Sequence, residues 1–322
     1  MVVPSPVTVS SDADVPAGQA VPVVELGGSH VAGALVGPDG NPPVIRKLIT
    51  APVDPAASAG VLLDAVLRCA RALDAPAGAR WGVAVPGPFD YAAGVAWYRG
   101  VAKFDSLYGV DVGARLRDGL GPGAAADLVF LGDAEAFALG EWVFGAGRSY
   151  RRILGVTLGT GVGASFLDGG IAVVGGPDVP PAGRADLLTV NDRPLEESVS
   201  TRAIVEQYAR AGGPSCSAEE IAERARGGEE RARGVLDETF AILGAALAPW
   251  VASFGAEVVV VGGAMVQSWD LIAAPLRRGM GAGTNGDSAD ATADAQPMLV
   301  PATHPDHAAF FGAAHRAAGP DQ

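Results

Sequence analysis

The chemistry of this chain has to come from a few polar side chains and several turns with almost no side chains at all. Asp133 follows the apolar run Leu128-Val129-Phe130-Leu131 and precedes the helix-periodic residues Phe137, Ala138, Glu141 and Trp142, which places it at a strand-to-helix junction. A carboxylate there can accept a proton from an alcohol, or it can cap the helix behind it. The stretch GVTLGTGVGASFLDGG, residues 155–170, sets Gly159, Thr160, Gly161 and Gly163 directly behind an apolar run. Missing Cβ atoms would let an anion reach the backbone amides of such a turn, although a plain tight β-turn reads the same way. A dinucleotide-binding turn feeds straight into a helix and has an acid about 20 residues further on. Here Ala164-Ser165-Phe166-Leu167 alternates small and large and runs into the turn Asp168-Gly169-Gly170. A Walker loop ends in Gly-Lys-Ser/Thr, and no lysine is near. Strand, glycine hairpin, strand is what remains.

The elements that must position these residues follow from periodicity. Residues 1–20 read as a flexible tail. A strand Val21–Leu26, the turn Gly27-Gly28-Ser29, and strands Val31–Val36 and Val44–Thr50 form a meander. Leu62, Ala65, Val66, Cys69, Ala70 and Leu73 then recur at helical spacing, and a strand Trp81–Val85 stops at Pro86-Gly87-Pro88. The order returns from Ile153: a strand to Leu158, the glycine hairpin, a strand Ala164–Leu167 and a short strand Ile171–Val174. Helices are predicted over 196–211, over 218–226 with a capping box from Ser217 to Glu220, and over 231–254, where Pro249 should kink or shorten the last. Glu257-Val258-Val259-Val260-Val261 reads as a strand buried on both faces and ended by Gly262-Gly263, 279–296 as a surface loop, and 307–318 as a closing helix. Two βββαβα halves of this kind, each opening with a glycine hairpin, can hold a nucleotide between them.

Composition narrows the partners. Of 322 residues, 49% are hydrophobic and only 18% charged, which excludes disorder for most of the chain. A formal net charge of −13 argues against nucleic acid and anionic membranes, and there is no basic track for a polyanion. Cys69 and Cys216 stand apart and suggest neither a disulfide framework nor a zinc knuckle. The N-terminus carries acids and prolines where a signal peptide needs a basic start, and continuous apolar runs fall short of the roughly 18 residues of a membrane span, so a cytoplasmic protein is expected. The apolar stripe of the 231–254 helix suits a homodimer contact and an ordinary core equally.

Taken together, Val23-Val24-Glu25-Leu26-Gly27-Gly28-Ser29, Gly82-Val83-Ala84-Val85-Pro86-Gly87-Pro88, Gly132-Asp133-Ala134-Glu135-Ala136 with Gly140-Glu141 and Gly145-Ala146-Gly147, Leu158-Gly159-Thr160-Gly161-Val162-Gly163, and Val261-Gly262-Gly263 resemble the ROK family of repressors and sugar kinases over residues 21–318. The resemblance implies an α/β, two-lobed, actin-like ATPase (ribonuclease H-like) fold: a smaller N-terminal lobe of 21–130 plus 305–318 and a larger C-terminal lobe of 131–304. It further implies ATP- and Mg²⁺-dependent phosphorylation of a hydroxyl on a small sugar or sugar-like molecule, with Asp133 as base. Gly27, Gly28 and Ser29 from one half, and Gly159, Thr160, Gly161 and Gly163 from the other, would cradle the phosphates, with Gly262 and Gly263 beside the adenosine. Without a DNA-binding domain ahead of the first strand, the chain looks like the kinase branch.

Departures from the family pattern concern the acceptor and the metal. Glu25 replaces the usual Asp and is still able to orient Mg²⁺ through water. Gly87, Gly132, Asp133, Arg184 and Glu196 fall on the acceptor side, but Gly132 lacks the usual Asn amide, and Gly183-Arg184-Ala185-Asp186-Leu187 stands where the family has a Glu and a His. Arg184 then pairs with Asp186, meets a substrate anion or points to water. The zinc-binding cysteines of many members are absent, Pro194-Leu195-Glu196 standing at their last segment, so no zinc is expected. The resemblance implies a glucokinase-like hexose kinase, but these changes point to an acceptor other than ordinary glucose, an amino sugar, a cyclitol or an already acidic sugar, and they leave room for the alternative, a catalytically silent sugar- or nucleotide-binding regulator.

Overall fold

The structure is a computed structural model that describes residues 8–11, 20–100, 103–121, 123, 125–282 and 297–319. The chain divides into two compact units, Met1–Gly140 with His307–Gln322, and Glu141–Asp306. In chain order the first holds β1 (Thr8–Ser11), β2 (Val21–Leu26), β3 (His30–Gly37), β4 (Val44–Pro52), α1 (Ala59–Arg71), β5 (Ala79–Val85), β6 (Phe89–Asp90), β7 (Val95–Ala96), α2 (Val112–Leu120), β8 (Ala125–Gly132) and the start of α3 (Asp133–Phe144). The second holds β9 (Arg152–Leu158), β10 (Val162–Asp168), β11 (Ile171–Ala172), β12 (Thr189–Val190), β13 (Arg193–Pro194), α4 (Glu196–Val199), α5 (Thr201–Arg210), α6 (Ala218–Arg226), α7 (Glu230–Phe254), β14 (Val258–Gly262), α8 (Trp269–Ala282) and β15 (Met298–Pro301). The closing helix α9 (Ala308–Ala318) belongs to the first unit.

The first sheet runs β1-β4-β3-β2-β5-β8, antiparallel through the meander and parallel from β2 to β8. Alternation along β5 sends Trp81, Val83 and Val85 into a core with Leu62, Val66, Cys69 and Leu73, while α9 packs on β5 and β2. The second sheet runs β11-β10-β9-β14-β15. Its β14 is buried at every position and parallel to both neighbours, as a near-continuous valine run should be. Leu236, Phe240, Leu243, Leu247 and Val251 of α7 face that core. Helices α7 and α8 cross where Gly244 meets the backbone of Leu276 and Gly279 that of Ala241, so side chains at these glycines would hold the helices apart.

Most predicted elements are present with shifted ends. The 196–211 segment breaks into α4 and α5 at Ser200, whose side chain accepts the Ala203 amide and so caps α5. Pro249 does not shorten α7, which continues to Phe254. Helix α7 is long and apolar enough by length and composition to cross a membrane, yet its apolar side is packed against α8 and the second sheet. Of the expected loop 279–296, residues 279–282 complete α8 and the remainder lies outside the described residues. Within the expected tail, Thr8–Ser11 pairs with β4, whose edge is open to one more strand; the remaining tail residues before Ala20 lie outside the described residues. The boundary between units falls inside α3, later than a break at 130/131, because β8 pairs along β5 and carries the start of α3 with it.

Candidate active site

In the first unit, β2, β5 and β8 end side by side. Glu25 pairs with Ala84, and Val85 with Gly132, so Glu25 and Asp133 stand at one edge of the sheet. Glu25 is half-buried, and its carboxyl is pushed up to about 7, chiefly by burial and further by the charge of Asp133. Asp133 is the first residue of α3 and accepts the Ala134 amide at 2.8 Å. Glu135 takes the Gly132 amide, as in the return half of a capping box, and pairs with Arg316 of α9 at 3.0 Å. The helix start therefore has Glu135 as a capping carboxylate besides Asp133.

The turn from β2 to β3 closes with the Gly27 amide donating to the His30 carbonyl at 2.8 Å. The His30 imidazole lies across it, since a Cβ on Gly27 would fall 2.7 Å from the ring, and burial lowers the pKa of that ring. The amides of Gly28 and Ser29 donate to no acceptor among the described residues. Two adjacent unengaged amides can receive an external anion.

In the second unit, the Gly159 amide donates to the Gly161 carbonyl at 3.0 Å, and the Gly159 carbonyl accepts from the Thr201 amide at 2.9 Å and the Thr201 hydroxyl at 2.7 Å. The amides of Thr160 and Gly161 have no acceptor among the described residues. Nothing lies within 4 Å of where a Cβ on Gly159 would be, so one face of the turn is bare. At Gly161 the Glu196 carboxylate comes within 3.0 Å of that position, which brings Glu196 to the turn. Gly163 and Gly262 both pair with Thr157 from opposite sides, so Gly163 lies in the ladder, outside the turn proper. Gly263 has a φ of +82°, and a Cβ there would fall against the Leu158 backbone, 2.7 Å from its nitrogen, two requirements that only glycine meets. Gly159, Thr160, Gly161, Glu196, Gly262 and Gly263 thus converge at the carboxyl ends of β9 and β14, where open α/β sheets bind their ligands.

The acceptor-side residues are dispersed. Gly87 lies in the turn after β5, with its peptide to Pro88 cis. Gly132 faces the Tyr91 hydroxyl, 3.2 Å from where its Cβ would be, so the position of the missing amide is taken by a phenol that also donates to the Val85 carbonyl at 3.5 Å. Arg184 forks onto Asp186, Nε at 3.0 Å and the second nitrogen closer still, so of its three sequence readings the intramolecular pair is realised. Sequence reasoning missed Tyr91, Glu135 and Thr201, which act across the fold and carry no local pattern. No three His, Cys, Asp or Glu side chains cluster as metal ligands among the described residues.

The ROK family model matches residues 22–319. The chain belongs to the ROK family. Among curated ROK-type relatives, a glucokinase of Thermotoga maritima is 26% identical over 281 residues, which cover 79% of this chain and 84% of that one. An N-acetyl-D-glucosamine kinase of Pectobacterium carotovorum is 28% identical over 183 residues, 51% of this chain and 60% of that one. A ROK glucokinase of Streptomyces griseus, solved with glucose and AMPPNP, superposes with a TM-score of 0.75 at 21% identity over 92% of this chain and 98% of that one. The fold is the actin-like ATPase fold of ROK sugar kinases, duplicated within the chain.

Proposed function

We propose that this ROK protein is an ATP- and Mg²⁺-dependent kinase that phosphorylates a hydroxyl of a sugar or sugar-like acceptor. The observation that carries the reading is the acid pair Glu25 and Asp133 at the carboxyl ends of β2 and β8, on the same sheet edge as the open amides of Gly28 and Ser29. A buried carboxyl whose ionisation is opposed by a neighbouring acid fits a divalent cation held largely through water, with Glu25 as its orienting oxygen donor. The turns at Gly27–Ser29 and at Gly159–Gly161 fit phosphate oxygens, because their amides are unengaged and the Gly159 face is bare. When bound, MgATP would supply the phosphoryl group, with Mg²⁺ neutralising charge on it.

Each residue then has a definite task. Asp133 accepts the proton of the acceptor hydroxyl, its carboxylate steadied by the Ala134 amide while Glu135 serves the helix terminus. Tyr91 fills the space beside Gly132 and offers its hydroxyl to the acceptor where relatives of this pattern use an amide, and Gly87 leaves room for the acceptor ring. Glu196 approaches the second turn as the acceptor-side carboxylate of that unit, and Arg184, neutralised by Asp186, shapes its surroundings rather than binding an anion. Gly163, Gly262 and Gly263 hold the second turn in register beside the adenosine. Supported by the strong negative charge, the reading places the protein in the cytoplasm with a small-molecule acceptor and no nucleic-acid or membrane partner, and a homodimer is its testable assembly.

Coupled ADP detection across hexoses, amino sugars and cyclitols tests the proposal: steady turnover with at least one acceptor is expected, and none with Asp133→Asn. The intramolecular Arg184–Asp186 pair, standing where the family pattern has sugar contacts, favours one rival, a silent regulator. Saccharide or nucleotide binding without turnover across the whole panel would establish that rival.

A further inference from the structure

One exposed cluster in the first unit is used by nothing described so far. After the Pro86-Gly87-Pro88 turn, β6 and β7 form a small ribbon, with Phe89 opposite Ala96. The Trp97 amide donates to the Pro88 carbonyl at 3.1 Å, and the Tyr98 hydroxyl donates to the Pro86 carbonyl at 3.0 Å. Trp97 is therefore tied to the turn that ends β5, whose last residue pairs with Gly132 beside Asp133. Aromatic rings mark the route: Tyr91, at Gly132, lies 5.4 Å from Phe89, which lies 6.4 Å from Tyr98.

At the end of this route the Trp97 and Tyr108 side chains meet edge to face, 5.4 Å between centroids, and are 44% and 40% exposed. Two large rings left in water next to each other forgo burial, which a fold tolerates singly but seldom as a pair without use. The Arg99 guanidinium sits 3.8 Å above the Tyr108 ring and has no carboxylate partner among the described residues. The Asp105 carboxylate likewise accepts no hydrogen bond and forms no ion pair among them. Tyr108, Arg99 and Asp105, with Tyr98 and Gly100, line an open concavity of about 330 Å³, at the lower end of small-ligand sites, and Trp97 stands beside it against the Tyr108 ring.

The chemistry of the lining selects its occupant. Arg99 only donates and Asp105 only accepts, so together they match groups that do both, as hydroxyls do. The aromatic surface matches the C–H face of a ring, and the two charges cancel. An anionic ligand would meet Asp105, and an acyl chain would strand both charges. We propose that Tyr108, Arg99 and Asp105, with the exposed Trp97 ring beside them, form a second carbohydrate subsite, so that the acceptor class extends to disaccharides and longer saccharides. Its part in the acceptor site rests on the kinase reading above; saccharide binding at the cluster does not.

Calorimetric titration of the full chain with glucose, maltose, cellobiose and N,N′-diacetylchitobiose tests this, beside Trp97→Ala and Trp97→Phe. At least one disaccharide should bind about tenfold tighter than glucose, the difference that loss of one stacked aromatic contact implies. Trp97→Ala should erase that preference and Trp97→Phe should restore most of it, which separates stacking from a folding defect. Equal affinity for mono- and disaccharides, or a preference that survives Trp97→Ala, overturns the subsite. In a parallel ADP assay, disaccharide preference without turnover of any sugar sinks the kinase reading and leaves the subsite standing. Turnover of monosaccharides without disaccharide preference does the reverse.

Discussion

Leaving aside β1, the two sheets have one strand order, β4-β3-β2-β5-β8 in the first unit and β11-β10-β9-β14-β15 in the second, and each opens with a tight glycine hairpin. Their hairpins differ in chemistry. The first has an acid two residues ahead of its turn, an imidazole lying across it, and a second acid at the end of the neighbouring parallel strands. The second has no charged residue in its turn, fixes its shape through Thr201 and Gly263, and meets a carboxylate only from Glu196. One backbone plan thus carries open amides in both halves, beside a pair of acids in the first and a single approaching carboxylate in the second. Strand order sets where a site forms, and the few side chains at the strand ends set what it does.

The sharpest way to break this contrast is at Asp133. Asp133→Asn should fold with an unchanged melting temperature and lose about 10²- to 10⁴-fold in kcat, read by coupled ADP detection, as expected for removal of a general base. Retained turnover would assign proton handling elsewhere. In the second half, Gly263→Ala forces a side chain into a φ of +82° and against the Leu158 carbonyl, and should cost about 1–3 kcal/mol in denaturant unfolding. Gly159→Ala meets nothing within 4 Å, so its unfolding midpoint should hold while the KM for ATP rises several-fold. If the two glycine variants behave alike, the distinction between a supporting and a ligand-facing glycine fails.

Glu25 gives a pH signature that the second half should lack. Its carboxyl titrates near 7 in the folded chain, above its ordinary 4.5, so the folded state holds the proton more tightly than the unfolded one. The resulting stability is present below pH 4.5 and is lost as the pH rises through about 7. Glu25→Gln should flatten that decline between pH 5 and pH 8, a change on the order of 2 kcal/mol in chemical unfolding without Mg²⁺. A slope identical to that of the parent would mean that burial does not hold the Glu25 carboxyl above its ordinary range. The smallest effect is expected at Tyr91. Tyr91→Phe removes the phenol facing Gly132 and should raise the acceptor KM only a few-fold, roughly 1 kcal/mol, leaving the KM for ATP untouched.

Legibility in the sequence followed the range of the forces involved. The hairpins and the strand-to-helix junction at Asp133 could be read because alternation, turn residues and the change of period are local. So could the capping box at Ser217, which is present with both of its hydrogen bonds. Helix α8 could not: Pro275, Gly279 and Gly281 lower its intrinsic propensity, and it is held by the close glycine crossing with α7. Helix α2 carries Gly113 and Gly119 and went unread for the same reason. The partner of Arg184 lay two residues away and was among the sequence readings. Tyr91 opposite Gly132, and Glu135 with Arg316, are set by tertiary pairing across long stretches of chain, for which no spacing rule exists.

Glu141 is fully buried and accepts the amides of Ala146, Thr303 and His304. One carboxylate thereby fastens the chain just after β15, while Gly279 seats the far end of α8 on α7. Insertions just after α3 or just after β15 should therefore loosen one another's segment, because both are tied to the same buried side chain.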